Sequence, residues 1–246
     1  MQLKKYGLNL ISVTALGIGS VVGAGIFALL GQVIMMAGDQ TYFAFIIAGV
    51  AALFSGYSYS RLAAAYPDSG GLTDYFHIAF KKRWVVGTFS LIYMMTSAVS
   101  ICMMAKSFGI YAVKLFPHVQ DTNFFINAAA CFLIVGLAAL NMQRSKDVGN
   151  TEIVMVSIKM GILLSLIIAA LIHYDIAEKM QTIPFNEVKF MGSIGVTFFA
   201  FAGYGVITNA AGDVKNPQRT ITWGIFLTIL IVIGLYLALA FVALHF

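Results

Sequence analysis

The feature that most constrains this chain is a glycine-rich stretch in the middle of a long uncharged segment near the N-terminus. No charged residue occurs between Lys5 and Asp39, which leaves 33 residues, whereas about 20 suffice to cross a bilayer. Four glycines fall within the nine residues 17–25, and each costs a helix about 1 kcal/mol relative to alanine. Backbone groups freed at mid-membrane depth must face protein or a water-filled cavity. The segment therefore predicts an interrupted transmembrane helix.

Two interpretations of this stretch remain open at the sequence level. Interrupted helices in secondary transporters present backbone N–H and C=O groups to a small polar substrate near the middle of the membrane. Gly19 and Gly23, however, also form a small-xxx-small pattern, which is typical of close packing between membrane helices. The four glycines together with Ser20 exceed what one packing interface needs, and this favours a binding site made of main chain.

The whole composition indicates an all-α polytopic membrane protein. Hydrophobic residues make up 60% of the chain and charged residues only 10%. All four prolines fall in the connections between long apolar intervals, as expected because proline breaks helices. We predict seven transmembrane helices within the single domain 1–246, and the intervals that define them are 6–38, 40–60, 84–105, 122–143, 153–174, 190–212 and 220–246.

The distribution of basic residues predicts an N-terminus on the cytoplasmic side of the cell (inner) membrane. Short cytoplasmic loops carry an excess of Lys and Arg, and this excess sets the orientation of the spans. With that orientation, four basic residues lie outside and ten lie inside, namely Lys4, Lys5, Arg61, Lys81, Lys82, Arg83, Arg144, Lys146, Lys215 and Arg219. The net charge of +5 therefore reflects contact with a lipid bilayer, and we expect no nucleic-acid partner.

Several functional classes receive no support from the sequence. Cys102 and Cys131 lie within predicted spans, which argues against a disulfide framework. The four histidines are scattered without the spacing of metal ligands, and we predict neither a metal site nor a cofactor. Position 22 is Val and no strand precedes it, so the first span does not fit a dinucleotide-binding loop. In the absence of a catalytic constellation, we expect no enzymatic activity.

A second interrupted span is predicted five helices after the first. The sixth interval carries two glycines, Gly203 and Gly205, near its middle, and it enters the membrane from the side opposite to the first. Two interrupted helices with this relation are typical of an inverted five-helix repeat with its site at the midplane. We assign residues 9–173 to the first repeat and 190–246 to the first two helices of an incomplete second repeat. Close packing is the alternative explanation for the second glycine pair.

Three motifs resemble those of the amino acid–polyamine–organocation (APC) superfamily of permeases. Residues 17–27 (GIGSVVGAGIF) resemble the first-helix signature, and 66–71 (YPDSGG) with Tyr75 resemble the first cytoplasmic loop. Residues 198–204 (FFAFAGY) and 211–219 (AGDVKNPQR) resemble the sixth helix and the loop after it. The chain departs from the family pattern at Thr73 and Asp213, where an aromatic residue and a Glu are usual. It also ends after seven helices, where the family has about twelve.

The resemblance implies a LeuT-like five-plus-five inverted-repeat fold and a specific set of binding residues. It implies that N–H groups near Gly23, Ala24 and Gly25 bind a substrate carboxylate at the positive end of a half-helix. It also implies that carbonyls near Val21, Phe199 and Ala202 accept from the substrate ammonium, with Gly203 in the second interruption. Phe199 would act as an aromatic lid over the substrate, although it could instead be lipid-facing bulk.

Lys159 is the one charge within a predicted span and the candidate for proton coupling. It lies seven residues beyond Glu152, about 10 Å deeper along a helix that rises 1.5 Å per residue. A lysine near mid-membrane costs roughly 3 kcal/mol and is functional by default, whereas one near the interface can snorkel. In proton-coupled APC members, a fifth-helix lysine occupies the place of sodium in sodium-coupled relatives, and Lys159 matches its position.

The sequence as a whole predicts a secondary-active transporter of the plasma membrane that carries a small amino acid or amine. Its partners would be the substrate, protons and the bilayer, with either proton symport or exchange as the coupling mode. The rival hypothesis is a transport-incompetent, truncated permease or a membrane-embedded interaction subunit. Such a chain would associate in a homo-oligomer or with separate second-half helices.

Overall fold

The computed structural model describes residues 8–67, 71–80, 82–115, 122–142, 148–172, 186–214 and 216–245. Some residues named in the predictions lie outside these ranges. They are residues 173 and 246, which end the two predicted repeats, positions 68–70 of the loop motif, and the basic residues Lys4, Lys5, Lys81, Arg144, Lys146 and Lys215. The regular secondary structure of the described residues is helical, apart from an isolated parallel bridge between Leu8 and Val214. The all-α prediction is confirmed.

The helices follow the predicted apolar intervals closely. They are α1 (Leu10–Val21), α2 (Ala24–Ala37), α3 (Thr41–Ala65), α4 (Leu72–Ala79), α5 (Arg83–Lys114), α6 (Thr122–Met142), α7 (Val148–Ile172), α8 (Glu187–Phe201), α9 (Val206–Asn209) and α10 (Pro217–His245). Short 3-10 turns occupy Gly38–Gln40, Ala202–Gly205 and Ala211–Asp213. The predicted first span corresponds to α1 with α2, and the predicted sixth span corresponds to α8 with α9.

Six described segments are long and apolar enough to cross a membrane, by length and composition. One of them, Gly25–Ala65, is 41 residues long and would measure roughly 60 Å as one helix, twice the thickness of the hydrocarbon core. It contains α2 and α3, which the turn at Gly38–Gln40 separates. Gly38 has φ 55°, a backbone conformation that suits glycine, and α2 ends there. Counting α2 and α3 together gives six segments, where the charge pattern predicts seven.

Several helix boundaries differ by a few residues from the predicted intervals, and the largest difference is at the end of the third interval. The charge pattern ends the third interval at residue 105, whereas α5 continues to Lys114 and is 32 residues long. Lys106 therefore lies within the helix, and its side chain is exposed. A single lysine does not terminate a helix because its long side chain can carry the charge away from the apolar surroundings.

The chain divides into two compact units, of which the first comprises Met1–Leu72 and Gly149–Phe246. Its core is formed mainly by α1, α3, α8 and α10, with fully buried side chains that include Phe45, Phe201 and Tyr236. Small residues on α3 face α10: a β-carbon on Gly56 would lie 2.8 Å from side-chain atoms of Ile225 and Ile229. Helix α10 also packs against α1.

The second unit, Thr73–Val148, contains α5 and α6 with most of α4. Here α5 and α6 approach through Gly109, where a β-carbon would lie 2.4 Å from the carbonyl oxygen of Ile126. Phe76 and Phe80 of the α4 region pack on Phe89, with ring centroids 5.2 and 5.6 Å apart. Gly109 thus allows close packing between α5 and α6, and the aromatic rings join the α4 region to α5.

Candidate functional site

The first predicted span is interrupted at Val22 and Gly23, as the glycine pattern predicts. Helix α1 ends at Val21, and α2 begins at Ala24 after Gly23 in an extended conformation with φ −128°. Val22, with φ −78° and ψ 77°, has the geometry of an inverse γ-turn, and the Gly23 N–H donates to the Val21 carbonyl at 2.9 Å. Two helix ends thus meet within three residues, so the negative end of α1 and the positive end of α2 lie side by side.

Lys159 satisfies two of the carbonyl groups at the end of α1. Its Nζ atom donates to the Gly19 carbonyl at 2.8 Å and to the Val22 carbonyl at 2.5 Å. The side chain is half-buried near the middle of α7. A cation is stabilised where helix carbonyls lack intrahelical donors, because the dipole end and the lone pairs both favour positive charge. Lys159 therefore connects α7 directly to the interruption.

Tyr236 of α10 reaches the same interruption from another direction. Its buried hydroxyl lies 3.0 Å from the Val21 carbonyl and 3.1 Å from the Ala200 carbonyl, so one O–H proton is shared between two acceptors. Its ring contacts the rings of Phe45 and Phe201, with centroids 5.7 and 5.1 Å apart. The sequence analysis did not predict a role for Tyr236. The only local signal was that a tyrosine lies inside an apolar span, because a buried tyrosine hydroxyl needs a hydrogen-bond partner.

The second predicted interruption takes the form of a tighter helix. Helix α8 ends at Phe201, Ala202–Gly205 form a 3-10 turn, and α9 continues from Val206. The Ala202 N–H donates to the Phe199 carbonyl, which is a 3-10 bond. A β-carbon on Gly203 would lie 2.6 Å from the Ser20 carbonyl oxygen and 2.8 Å from the Val21 Cα. Gly203 therefore permits close backbone packing against α1, the alternative that the sequence left open.

The structure brings most of the predicted binding residues of the first unit together. Gly25 is buried beside α8, where its β-carbon position would lie 3.8 Å from the Ala200 Cα. The Val21 carbonyl already accepts from the Gly23 N–H and from Tyr236, which occupy both of its lone pairs. Gly23 and Gly203 are half-buried, whereas Phe199, 37% exposed, and Ala202 lie at the surface of the described chain.

An open groove of about 500 Å³ borders the interruption. Its lining is almost entirely apolar, and its one charged group is the Lys159 ammonium; the lining residues are Phe27, Met155, Ile158, Lys159, Ile162 and Leu163. Within the residues that the structure describes, no three His, Cys, Asp or Glu side chains lie close enough together to hold a metal ion. The polar groups at the interruption include backbone N–H and C=O groups, the Lys159 ammonium and the Tyr236 phenol.

Comparison with known proteins agrees with the three motifs. The profile of the amino acid permease family matches residues 8–245. The inner membrane transport protein YbaT of Escherichia coli (strain K12) is 40% identical over 237 residues, which are 96% of this chain and 55% of that protein.

Two further relatives are more distant. The branched-chain amino acid permease BcaP of Bacillus subtilis is 28% identical over 253 residues, 96% of this chain and 54% of the relative. Cationic amino acid transporter 9, chloroplastic, of Arabidopsis thaliana is 26% identical over 252 residues, 96% of this chain and 44% of the relative. The chain thus spans about half the length of the curated relatives it matches. These names are those of transporters and permeases, not of enzymes. The family match covers nearly the whole sequence, and the chain belongs to the amino acid permease family as a multi-pass membrane protein.

Proposed function

We propose that this chain serves the secondary-active transport of a small amino acid or amine, with the substrate bound at the interruptions of the first and sixth spans. The observation that carries the proposal is the γ-turn at Val22 and Gly23, which places a helix N-terminus inside an apolar segment. The names of the relatives, which include amino acid permeases and transporters, support the substrate class. We further propose the inner cell membrane with a cytoplasmic N-terminus, from the bias of the basic residues.

The substrate carboxylate would bind at the N-terminus of α2. The N–H groups of Ala24 and Gly25 belong to the first turn of that helix, so they have no intrahelical acceptor, and the dipole favours an anion there. The ammonium would bind towards the carbonyls of Phe199 and Ala202. To reach the Val21 carbonyl it would have to displace the Tyr236 hydroxyl, since both lone pairs of that oxygen are occupied. Phe199, at the surface, is free to cover the bound molecule.

The replacement Gly23→Leu is expected to reduce amino acid binding at least 10-fold without unfolding the protein. A β-carbon at this position would lie 3.8 Å from the Ser20 carbonyl oxygen, an ordinary contact, and φ −128° suits any residue. The longer leucine side chain, however, would cover the N–H groups at the start of α2. The measurement is the thermal stabilisation of the purified protein by a panel of amino acids.

Gly31→Leu is the matched control, because Gly31 lies on the same helix and a β-carbon there meets no atom within 4 Å. Equal binding by wild type and Gly23→Leu would place the site elsewhere.

Uptake into liposomes by the 246-residue protein separates the two functional hypotheses. Saturable uptake supports a transporter, whereas binding without uptake supports the transport-incompetent alternative. In that case the chain works with another copy or with separate second-half helices.

We also propose that Lys159 couples binding to protons. A charged lysine has three N–H donors and interacts favourably with the carbonyl end of α1, whereas the neutral amine loses both the charge and one donor. Protonation would therefore strengthen the connection between α7 and the interruption, and deprotonation would release it. This gives protons a physical route to the residues that contact the substrate.

For this reason, amino acid affinity is expected to vary with pH in the wild type and to become pH-independent in Lys159→Met. Methionine retains an unbranched apolar side chain but cannot donate to Gly19 or Val22. Affinity would be measured from pH 5 to pH 9, and uptake, where it occurs, with and without an inward proton gradient. Lys106→Met, at an exposed cation on α5, is the control. A pH dependence that persists in Lys159→Met would refute the coupling role.

A further inference from the structure

The groove beside the interruption has one wall formed by a single face of α7. The lining residues of this helix recur at the three- and four-residue spacing that places side chains on one side of an α-helix, and they are Met155, Ile158, Lys159, Ile162 and Leu163. Leu163 is only 2% exposed, whereas Ile158 and Ile162 are 59% and 62% exposed. The wall is therefore apolar along most of its length and partly accessible from outside.

The groove reaches α2 at Phe27. This residue lies three positions after Ala24, the first residue of α2, so it is about one turn away from the helix end where the substrate carboxylate is proposed to bind. Side chains of a helix lean towards its N-terminus, and the ring of Phe27 therefore covers surface close to that end. A molecule whose carboxylate lies at the start of α2 is thus close enough to extend a side chain into the groove.

The groove and α8 lie on different sides of α2. Gly25 faces α8, since its β-carbon position would lie 3.8 Å from the Ala200 Cα. Phe27 follows two residues later and lies about 200° further round the helix, because an α-helix has 3.6 residues per turn. An amino acid bound at the start of α2 can therefore direct its ammonium towards the end of α8 and its side chain towards the groove.

The size and the lining of the groove suit a neutral, apolar group. Its volume of about 500 Å³ lies within the range of about 300–1,000 Å³ that is typical of small-molecule sites, which are mostly apolar with a few polar groups. Among the described residues that line it, the one charged group is the Lys159 ammonium, which the carbonyls of Gly19 and Val22 hold in place. No Asp or Glu lies among those described residues, so a cationic side chain would meet a like charge without an acidic partner.

We propose that this groove binds the side chain of the substrate and selects large apolar amino acids over small and basic ones. The inference rests on the proposed function, since it requires the carboxylate to bind at the start of α2. Affinity increases with the apolar surface that the side chain removes from water, which favours leucine over glycine. Lys159 excludes basic amino acids of similar length by repulsion, which is a common source of specificity.

The test is a titration of the purified protein with glycine, leucine, norleucine and lysine, followed by thermal stabilisation. Norleucine is the matched ligand for lysine, because it has the same unbranched chain without the terminal ammonium. Leucine and norleucine are expected to bind about 10-fold or more tightly than glycine and lysine. In Lys159→Met, the preference for norleucine over lysine should fall by about 3-fold or more, because the repelling charge is gone.

Two substitutions in the wall of the groove test the apolar contact. Ile158→Ala and Ile162→Ala remove apolar surface at side chains that are more than half exposed, so the protein should remain folded. Each is expected to lower the ratio of leucine affinity to glycine affinity by about 3- to 10-fold. Ile168→Ala is the matched control, because Ile168 is an exposed isoleucine of α7 outside the lining of the groove. It should leave the ratio unchanged.

An unchanged ratio in both wall variants would leave the groove to lipid and overturn the inference. An equal fall in Ile168→Ala would overturn it as well, and so would a wild type that binds lysine as tightly as norleucine. Failure of the proposed function gives a different result. Binding of amino acids without regard to their side chains would refute the inference alone, whereas the absence of binding by all four ligands would refute the proposed function together with it.

Discussion

The substitution Gly203→Ala is expected to destabilise the protein by about 1–3 kcal/mol and to abolish amino acid binding. A single methyl group would meet the Ser20 carbonyl oxygen at 2.6 Å, the Ser20 carbonyl carbon at 2.7 Å and the Val21 Cα at 2.8 Å. These are backbone atoms, so no side-chain rotation can relieve the contact. The 3-10 turn and the end of α1 would have to separate, and the groups proposed to bind the substrate would separate with them. Thermal unfolding and amino acid binding of the purified variant test both effects.

Gly195→Ala provides the matched control on α8. A β-carbon at Gly195 meets no atom within 4 Å, and alanine stabilises a helix relative to glycine, so this variant should unfold at or above the wild-type temperature. The comparison separates a general effect of removing a glycine from the specific contact between Gly203 and α1. A Gly203→Ala protein with wild-type stability and wild-type affinity would show that the two spans are not held together at this point.

The sequence predicted the interruption of the first span because its cause is local. Four glycines inside one apolar segment weaken the helix at the place where it breaks, and the break at Val22 and Gly23 lies within that stretch. In the sixth span the α-helix also ends near the glycines, at Phe201, and the 3-10 turn Ala202–Gly205 follows. Here the sequence does not distinguish a break from close packing, because Gly203 and Gly205 also allow close contact with α1 and with Tyr59 respectively. A glycine in the sequence is equally compatible with a helix break and with close packing between helices.

The partners of the site residues could not be predicted, because they are backbone atoms far away in the chain. Lys159 was predicted to be functional because it is a charged residue within an apolar segment. The residues around it in the sequence, however, do not predict that it donates to the carbonyls of Gly19 and Val22, 140 and 137 residues away. Tyr236 bonds to carbonyls 215 and 36 residues away. Any residue type presents a carbonyl, so these acceptors leave no trace in the sequence, and only the packed helices determine which side chain reaches them.

Tyr236→Phe is expected to lower the free energy of unfolding by about 1–2 kcal/mol and amino acid affinity by about 10-fold. Phenylalanine keeps the ring contacts with Phe45 and Phe201, so the change removes only the shared hydrogen bond. Bonds between membrane helices average about 0.6 kcal/mol and reach about 1.7 kcal/mol. The expected value lies near the upper end because the hydroxyl serves two buried carbonyls, and a buried acceptor left without its donor adds a penalty of its own.

The loss of affinity would follow from the place of the bond, since the hydroxyl joins the end of α1 to the end of α8, the two helix ends proposed to enclose the substrate. Tyr57→Phe is the control: Tyr57 is exposed on α3, and its ring contact with Phe226 does not need the hydroxyl. Thermal unfolding and amino acid titrations of both variants provide the measurement. If freeing the Val21 and Ala200 carbonyls instead raised the affinity, those oxygens would be acceptors for the substrate ammonium, and Tyr236 would be its competitor and not the group that holds the two helix ends together.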